Sequence, residues 1–268
     1  MPKRINRVSE ADIGLIALPP KPYWTNIADE VLNGGRLGHI LMADDRDYQR
    51  RLSDAKRSLD QRRDQEAFRQ YSDLAKLGNA EAQFYLGFIY INGLGIEKDI
   101  SEDVKWYLLG ANQGNIDCQS QLGWNYAYGD NIQNDLEKAR HWHGMAAESG
   151  DPKHQFRLAE FLALHDDVET SLSWYEKSAS QGYALAYLRL AHFHNRGIGV
   201  KKNKRLAFDY YRQATEKGNI RAQVHYAIFL ICGYEGISGI PRGVRLYVDG
   251  FATAIKIFRV DSEDERIH

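Results

Sequence analysis

The segment AQFYLGFIYINGLGIEKDISEDVKWYLLGANQG, residues 82–114, has a close counterpart in AYLRLAHFHNRGIGVKKNKRLAFDYYRQATEKG, residues 186–218. Both segments contain a Gly-x-Gly turn, then an aromatic pair and a closing glycine. The closing glycine recurs along the chain as Gly78, Gly114, Gly150, Gly182 and Gly218. Successive glycines are 36 residues apart, except that the interval before Gly182 is 32 residues. A fixed interval in this range indicates a repeat protein.

Two helices fit inside each repeat unit. In the first helix, Ala82, Leu86 and Tyr90 have the spacing that places side chains on one helix face. The middle column of this face holds leucine in four successive units: Leu86, Leu122, Leu158 and Leu190. We expect these leucines to be buried. The column after them holds glycine or alanine, which lets a neighbouring helix approach closely.

The ends of both helices carry residues that are typical of helix caps. N-cap candidates for the first helices follow the closing glycines: Asn79, Asn115, Asp151 and Asn219. N-cap candidates for the second helices are Asp99, Asp135, Asp167 and Asn203. Short acceptor side chains at these positions satisfy backbone N–H groups that the helix leaves unpaired. Asp99 and Glu102 also have the spacing of a capping box. At the other end, Gly114 and Gly150 are expected to have positive φ, as in a left-handed C-cap.

The repeating columns resemble the SEL-1-like repeat (SLR), a relative of the tetratricopeptide repeat. The resemblance covers about residues 65–254 and includes the turns Gly93-Leu94-Gly95 and Gly197-Ile198-Gly199. It implies an all-α fold, a right-handed superhelical solenoid of antiparallel helix pairs. The third unit lacks the glycine turn, and the fifth lacks the closing glycine, as expected for a terminal repeat.

The repeats divide the chain into a central region and two ends. Five repeats are predicted, at 79–114, 115–150, 151–182, 183–218 and 219–254. Residues 44–78 are predicted to form a diverged helix pair, and residues 255–268 the end of a C-terminal capping helix and a tail. Residues 1–43 do not match the repeat. We interpret them as an arm that packs on the first repeat and caps it, with a partner-binding arm as the alternative.

Composition limits the kinds of partner. The net charge of −1 and the isoelectric point near 6.8 argue against a general nucleic-acid or anionic-membrane surface. The sequence has no run of apolar residues long enough to span a membrane, and its first residues do not have the pattern of a signal peptide. Cys118 and Cys232 lie in separate units, beyond disulfide reach. We therefore expect a cytoplasmic protein.

Sequence motifs for catalysis or metal binding are lacking. His141 and His143 are two residues apart, as are His192 and His194, so each pair points to different sides of a helix and cannot chelate one metal ion. We interpret His143 and His194 as core-packing residues, because other units have tyrosine in the same columns. H-E-x-x-H, P-loop and G-x-S-x-G motifs do not occur. We predict no enzymatic activity, catalytic residue, metal or cofactor. A glycosidase-type pair of carboxylates stays open as an alternative.

A partner-binding surface is predicted on the first helices, opposite the core, along the inner curve of the stack. The early units carry aromatic residues there: Tyr85, Phe88, Trp124 and Tyr128. The later units carry basic residues: Arg157, Arg189 and Arg196. Tyrosine, tryptophan and arginine are enriched at interface hot spots. The alternative is that Phe88 and Trp124 are buried between repeats.

The family resemblance also implies a kind of function. SLR proteins generally act as adaptors, scaffolds and regulators of signalling or secretion, and some bacterial ones are immunity proteins that neutralise a toxic effector. The leading hypothesis is a non-catalytic, cytosolic immunity protein whose partner is a secreted toxin, with no binding to nucleic acid and no membrane insertion. The alternatives are a regulatory or assembly scaffold, self-association through the end caps, and a hydrolase with a site in the groove.

Overall fold

The computed structural model describes residues 36–129, 133–165 and 167–264. Within these ranges the chain is helical, with short turns and without strands. The helices are α1 (Arg36–Asp60), α2 (Asp64–Lys76), α3 (Ala80–Asn92), α4 (Ile100–Asn112), α5 (Ile116–Tyr128), α6 (Leu136–Glu148), α7 (Pro152–Leu164), α8 (Val168–Ser180), α9 (Ala184–Arg196), α10 (Lys204–Glu216), α11 (Ile220–Ile231) and α12 (Ile240–Asp264). Most of the predicted N-terminal arm and the end of the C-terminal tail lie outside the described residues.

The chain forms two compact units, residues 1–143 and 144–268. In the first unit, α1 packs on α2, α2 on α3, α3 on α4, and α4 on α5. In the second unit, the same holds from α7 to α12. This all-α arrangement of consecutive helix pairs is the solenoid architecture that the repeat predicts.

The core of each repeat is built from the predicted columns. Leu86, Leu122, Leu158 and Leu190 are all buried, which confirms the assignment of the core face. The second helices contribute fully buried tyrosines to the same layer: Tyr71, Tyr107, Tyr175 and Tyr211. His143 takes the place of this tyrosine on α6 and is also buried, as predicted. The ring of His194 is half-buried and stacks on Tyr210, with centroids 5.7 Å apart.

The small residue beside the core leucine allows the two helices of a repeat to touch. A Cβ atom added to Gly87 would lie 2.7 Å from Cε1 of Tyr107, and one added to Gly123 would lie 2.6 Å from Cγ of His143. Both distances are too short for any side chain. Glycine is therefore required at these two positions by the approach of the second helix.

The helix caps follow the predictions with one exception. The side chains of Asn79, Asn115, Asp151 and Asn219 each accept a hydrogen bond from a backbone N–H in the first turn of their helix. Asp99 caps α4 by accepting from the N–H of Ser101 at 2.9 Å. The predicted capping box is wrong, because the N–H of Asp99 donates to the Tyr90 carbonyl at 3.2 Å and Glu102 binds Lys105 instead.

The two ends of the helical region extend beyond the predicted limits. Helix α1 begins at Arg36 rather than near residue 44, because no proline interrupts residues 36–60. Helix α12 continues to Asp264, so it takes up most of residues 255–268, which were predicted to hold the helix end and a tail. A 3₁₀ turn, Ile237–Gly239, joins it to α11, so residues 219–254 do contain a fifth helix pair. Both cysteines are free; Cys118 is buried and Cys232 is exposed.

Candidate functional site

The aromatic side chains predicted to bind a partner lie on α3 and α5, the first helices of two successive repeats. Trp124 is 56% exposed and Phe88 is 39% exposed. The alternative that both are buried between repeats is therefore wrong. Each follows a buried core leucine by two positions, and two residues turn a helix by about 200°, which directs these side chains away from the core.

The exposed tryptophan is supported by a second aromatic ring. Tyr128 lies one turn along α5, and its ring centroid is 4.6 Å from that of Trp124, with the planes inclined at 55°. We refer to Phe88, Trp124 and Tyr128 as the aromatic surface. Tyr85 has a different environment: it is half-buried and stacks on the buried Tyr71 at 4.8 Å. Tyr85 therefore packs against the core and is only partly exposed.

The predicted arginines lie in the second unit, and Arg189 is ion-paired within the chain. Nη2 of Arg189 donates to Oε2 of Glu160 at 2.6 Å. The other carboxylate oxygen of Glu160 accepts from the hydroxyl of the buried Tyr175. Burial and this carboxylate raise the pKa of Tyr175. Glu160 therefore connects Arg189 on α9 to the core side chain of α8.

Arg157 and Arg196 occupy different surroundings. Arg157 is half-buried on α7, and its positive charge opposes the rise that burial causes in the pKa of Tyr183. Arg196 is exposed in the last turn of α9. Its charge acts on two histidines, His192 and His225, and contributes to lowering the pKa of each.

A cavity of about 470 Å³ lies among the first helices of the second unit, α7, α9 and α11. This volume falls within the range of ligand pockets in proteins, about 300–1,000 Å³. Its lining residues are Phe156, Glu160, Leu185, Leu188, Arg189, His192, Arg221, Val224 and His225. We refer to it as the second-unit cavity. Arg189 is the only residue of the predicted site that lines it.

Two of the lining histidines face each other across successive repeats. The ring centroids of His192 and His225 are 5.1 Å apart, and Tyr211 stacks on His225 at 4.9 Å. Burial, followed by the neighbouring His225 and the arginines of α9, lowers the pKa of His192 to about 4. Burial and Arg196 also lower the pKa of His225. Both imidazoles are therefore neutral at neutral pH.

The residues missed by the sequence analysis follow a rule of the repeat. The tenth position of one unit meets the seventh position of the next, as Glu160 meets Arg189 and His192 meets His225. Histidines that are close along the chain, such as His192 and His194, do not form such pairs because they point to different sides of one helix. Comparing the tenth column with the seventh column one unit later is the signal that finds these pairs.

No group of three or more His, Cys, Asp or Glu side chains among the described residues is placed to hold a metal ion. The lining of the second-unit cavity includes one carboxylate, Glu160, which is engaged by Arg189 and Tyr175. None of the described helices combines the length and hydropathy that crossing a bilayer requires.

Comparison with protein families finds a match to the Sel1 repeat. The family model matches residues 80–115, 116–151, 155–183 and 184–219. These four matches correspond to the first four predicted repeats, while the fifth helix pair lies outside them. A comparison with curated protein sequences finds no significant relative.

Several solved structures are similar to this chain. A protective antigen of uropathogenic Escherichia coli, which displays an SLR fold, is 32% identical over 70% of this chain, with a TM-score of 0.62. The match spans 41% of that longer protein. A Sel1 repeat protein from Oxalobacter formigenes is 28% identical over 71% of this chain and 79% of its own length, with a TM-score of 0.64. An immunity protein from Pseudomonas aeruginosa is 19% identical over 69% of this chain and 74% of its own length, with a TM-score of 0.45.

Proposed function

The chain belongs to the Sel1 repeat family, and we propose that it is a non-catalytic adaptor that binds a protein partner through the exposed side chains of its first helices. The observation that carries this proposal is the exposure of Trp124 beside Tyr128 on α5. Sel1 repeats mediate protein–protein binding, and the aromatic surface is the kind of feature that such binding uses.

An exposed tryptophan is well suited to anchor a partner. Its indole offers a large, rigid apolar surface that loses little conformational entropy on binding. On α5 the core contacts are made by Leu122 and Gly123, so the indole is available without disturbing the fold. Hot-spot side chains of this kind contribute about 2 kcal/mol or more to binding.

The finer role that we propose is immunity. In this role the chain binds a cognate toxic effector in the cytosol and neutralises it. Support comes from the family, which includes bacterial immunity proteins, and from the free thiols, which suit a reducing compartment. A regulatory scaffold that uses the same surface is the alternative.

Truncation of the tryptophan tests the adaptor proposal. The partner is captured from the native host with the full chain as bait, and its affinity is then measured by titration. Trp124→Ala should weaken binding about 30-fold, which corresponds to about 2 kcal/mol, with little change in melting temperature. Phe251→Ala is the matched control, because Phe251 is an aromatic residue of α12 that is 60% exposed. If Phe251→Ala weakens binding and Trp124→Ala does not, the proposed surface is wrong.

The immunity role has its own readout. The captured partner is expressed in cells with and without this chain. Growth arrest that is relieved by the wild-type chain, and not by Trp124→Ala, is the expected result. A partner that does not affect growth rejects the immunity role and leaves the scaffold role.

A further inference from the structure

We propose that the second-unit cavity binds an apolar side chain that carries or adjoins a carboxylate, so that the partner presents an acidic, apolar anchor to α7, α9 and α11. The inference rests on the proposed function and adds a second contact to it. The shared chemistry is a carboxylate on an apolar body, which either a peptide segment or a small organic acid supplies.

The walls of the cavity provide the apolar part of the site. Four apolar side chains from three helices line it: Phe156, Leu185, Leu188 and Val224. Leu188 is buried, whereas Leu185 is exposed although its neighbours on α9 are packed. A cavity of about 470 Å³ lies toward the lower end of the ligand-pocket range and suits one anchoring group rather than a long segment.

The charges of the cavity favour an anion. The lining contains two arginines, Arg189 and Arg221, and a single carboxylate, Glu160. Glu160 is already bound by Arg189 and by Tyr175. Arg221 is exposed on α11, and no carboxylate of the described residues pairs with it. A carboxylate that enters the cavity therefore meets a guanidinium that is not already held by a carboxylate of the described residues.

The histidine pair supports the same sign of charge. Burial is the main cause that keeps His192 and His225 neutral, and the positive charge of Arg196 lowers the pKa of both in the same direction. The contribution of Arg196 is the one that favours an anion. A neutral imidazole still donates one N–H hydrogen bond. Each imidazole can therefore donate a hydrogen bond to a bound carboxylate, and neither carries a negative charge that would repel it.

Capped dipeptides test the proposal on the full-length chain. The probes are acetyl-Phe-Asp-amide and its neutral isostere acetyl-Phe-Asn-amide, followed by NMR of the histidine imidazoles and by calorimetry. The aspartate probe should bind saturably and shift the signals of His192 and His225, and it should bind at least about tenfold more tightly than the asparagine probe. Equal affinity for the two probes, or no saturable binding at millimolar concentration, would overturn the proposal.

Substitution of the unpaired arginine locates the contact. Arg221→Gln should lower the affinity for the aspartate probe about tenfold, because a charge-assisted hydrogen bond is lost. Arg245→Gln is the matched control, since Arg245 is a strongly exposed arginine of α12 outside the cavity, and it should leave binding unchanged. Circular dichroism confirms that both variants are folded. Unchanged binding in Arg221→Gln contradicts the assignment.

Two further measurements complete the test. One distinguishes a peptide segment from a small organic acid as the ligand, and the other distinguishes failure of the cavity proposal from failure of the adaptor proposal. In the first measurement, 3-phenylpropanoate and its amide replace the dipeptides. Saturable binding of the acid without binding of the capped aspartate dipeptide would assign the cavity to a small organic acid and reject a partner segment as its ligand. Trp124→Ala should not change dipeptide binding, because Trp124 belongs to the first unit. Failure of the adaptor proposal and failure of the cavity proposal are therefore read from different variants.

Discussion

His192 is held neutral by groups from three helices. His225 of α11 faces it at 5.1 Å, Tyr211 of α10 lies 5.7 Å away, and Arg189 and Arg196 of its own helix add positive charge. Burial is the largest cause of its lowered pKa, which is about 4 instead of the usual 6.5. Protonation of this histidine is thus more costly in the folded chain than in the unfolded chain.

The stability of the protein should therefore depend on pH in the acidic range. Between pH 6.5 and about pH 4, the unfolded chain binds a proton at His192 that the folded chain does not, so the free energy of unfolding decreases as the pH falls through this window. His192→Gln removes this contribution. The drop in melting temperature from about pH 7 to about pH 5 should be smaller in His192→Gln than in the wild type.

An exposed histidine serves as the control for this measurement. His141→Gln, at an exposed site on α6, controls for the replacement of a histidine by glutamine. An identical drop in His192→Gln and the wild type would mean that His192 titrates alike in the folded and unfolded chains.

At the residue scale, sequence periodicity predicted which side chains face the core and which face solvent. It did not predict which side chains contact each other across repeats. The exposure of Phe88 and Trp124 follows from their position two residues after a core leucine. The contact between Glu160 and Arg189 does not, because it depends on the angle and offset at which neighbouring first helices pack. A pattern within one helix contains no information on that offset, so the cavity was not predicted.

The closing glycines show how a single residue ends a helix pair and starts the next one. Gly114 and Gly150 have φ values of +86° and +85°, as expected from the sequence. The space around Gly114 is open, so a Cβ atom there would meet no neighbour within 4 Å. The requirement for glycine at this position is conformational and not steric.

Alanine at two glycines should have opposite effects. Gly114→Ala forces a left-handed conformation on a residue with a Cβ and should lower the free energy of unfolding by about 1–2 kcal/mol. Gly144→Ala replaces a glycine inside α6, where added bulk also meets no neighbour, and should raise it by about 0.5–1 kcal/mol. Urea denaturation of both variants measures the difference. Equal effects of the two substitutions would show that the φ value at Gly114 is not the cause.

The helices and their N-caps were predicted from sequence, but the capping box was not formed, because a hydrogen bond to a residue outside the helix takes its place. The spacing of Asp99 and Glu102 permits a reciprocal cap, yet the N–H of Asp99 is already paired with Tyr90, nine positions earlier. The turn between the helices of a repeat makes this bond. Spacing within one helix therefore could not reveal it.

For the whole molecule, the glycine interval indicated a repeat protein, and the resemblance of its columns to the SEL-1-like repeat supplied the all-α fold class. The four segments that the family model matches overlap the first four predicted units, with bounds that differ by one to four residues. The fifth unit has diverged enough to escape that match, but its paired columns still form α11 and α12. The division into two compact units was not predicted, because the repeat continues through the boundary near His143 without a linker sequence.

The packing of each helix mainly on its neighbours in the chain has a kinetic consequence. Contacts that are short in sequence close small loops, so each compact unit should fold rapidly and from more than one starting helix pair. For the same reason, local opening of one helix pair requires less free energy than unfolding of the whole compact unit. A partner that binds both α3 and α5 would oppose the local opening of adjacent repeats. The bound chain should therefore resist proteolysis even in segments that do not contact the partner.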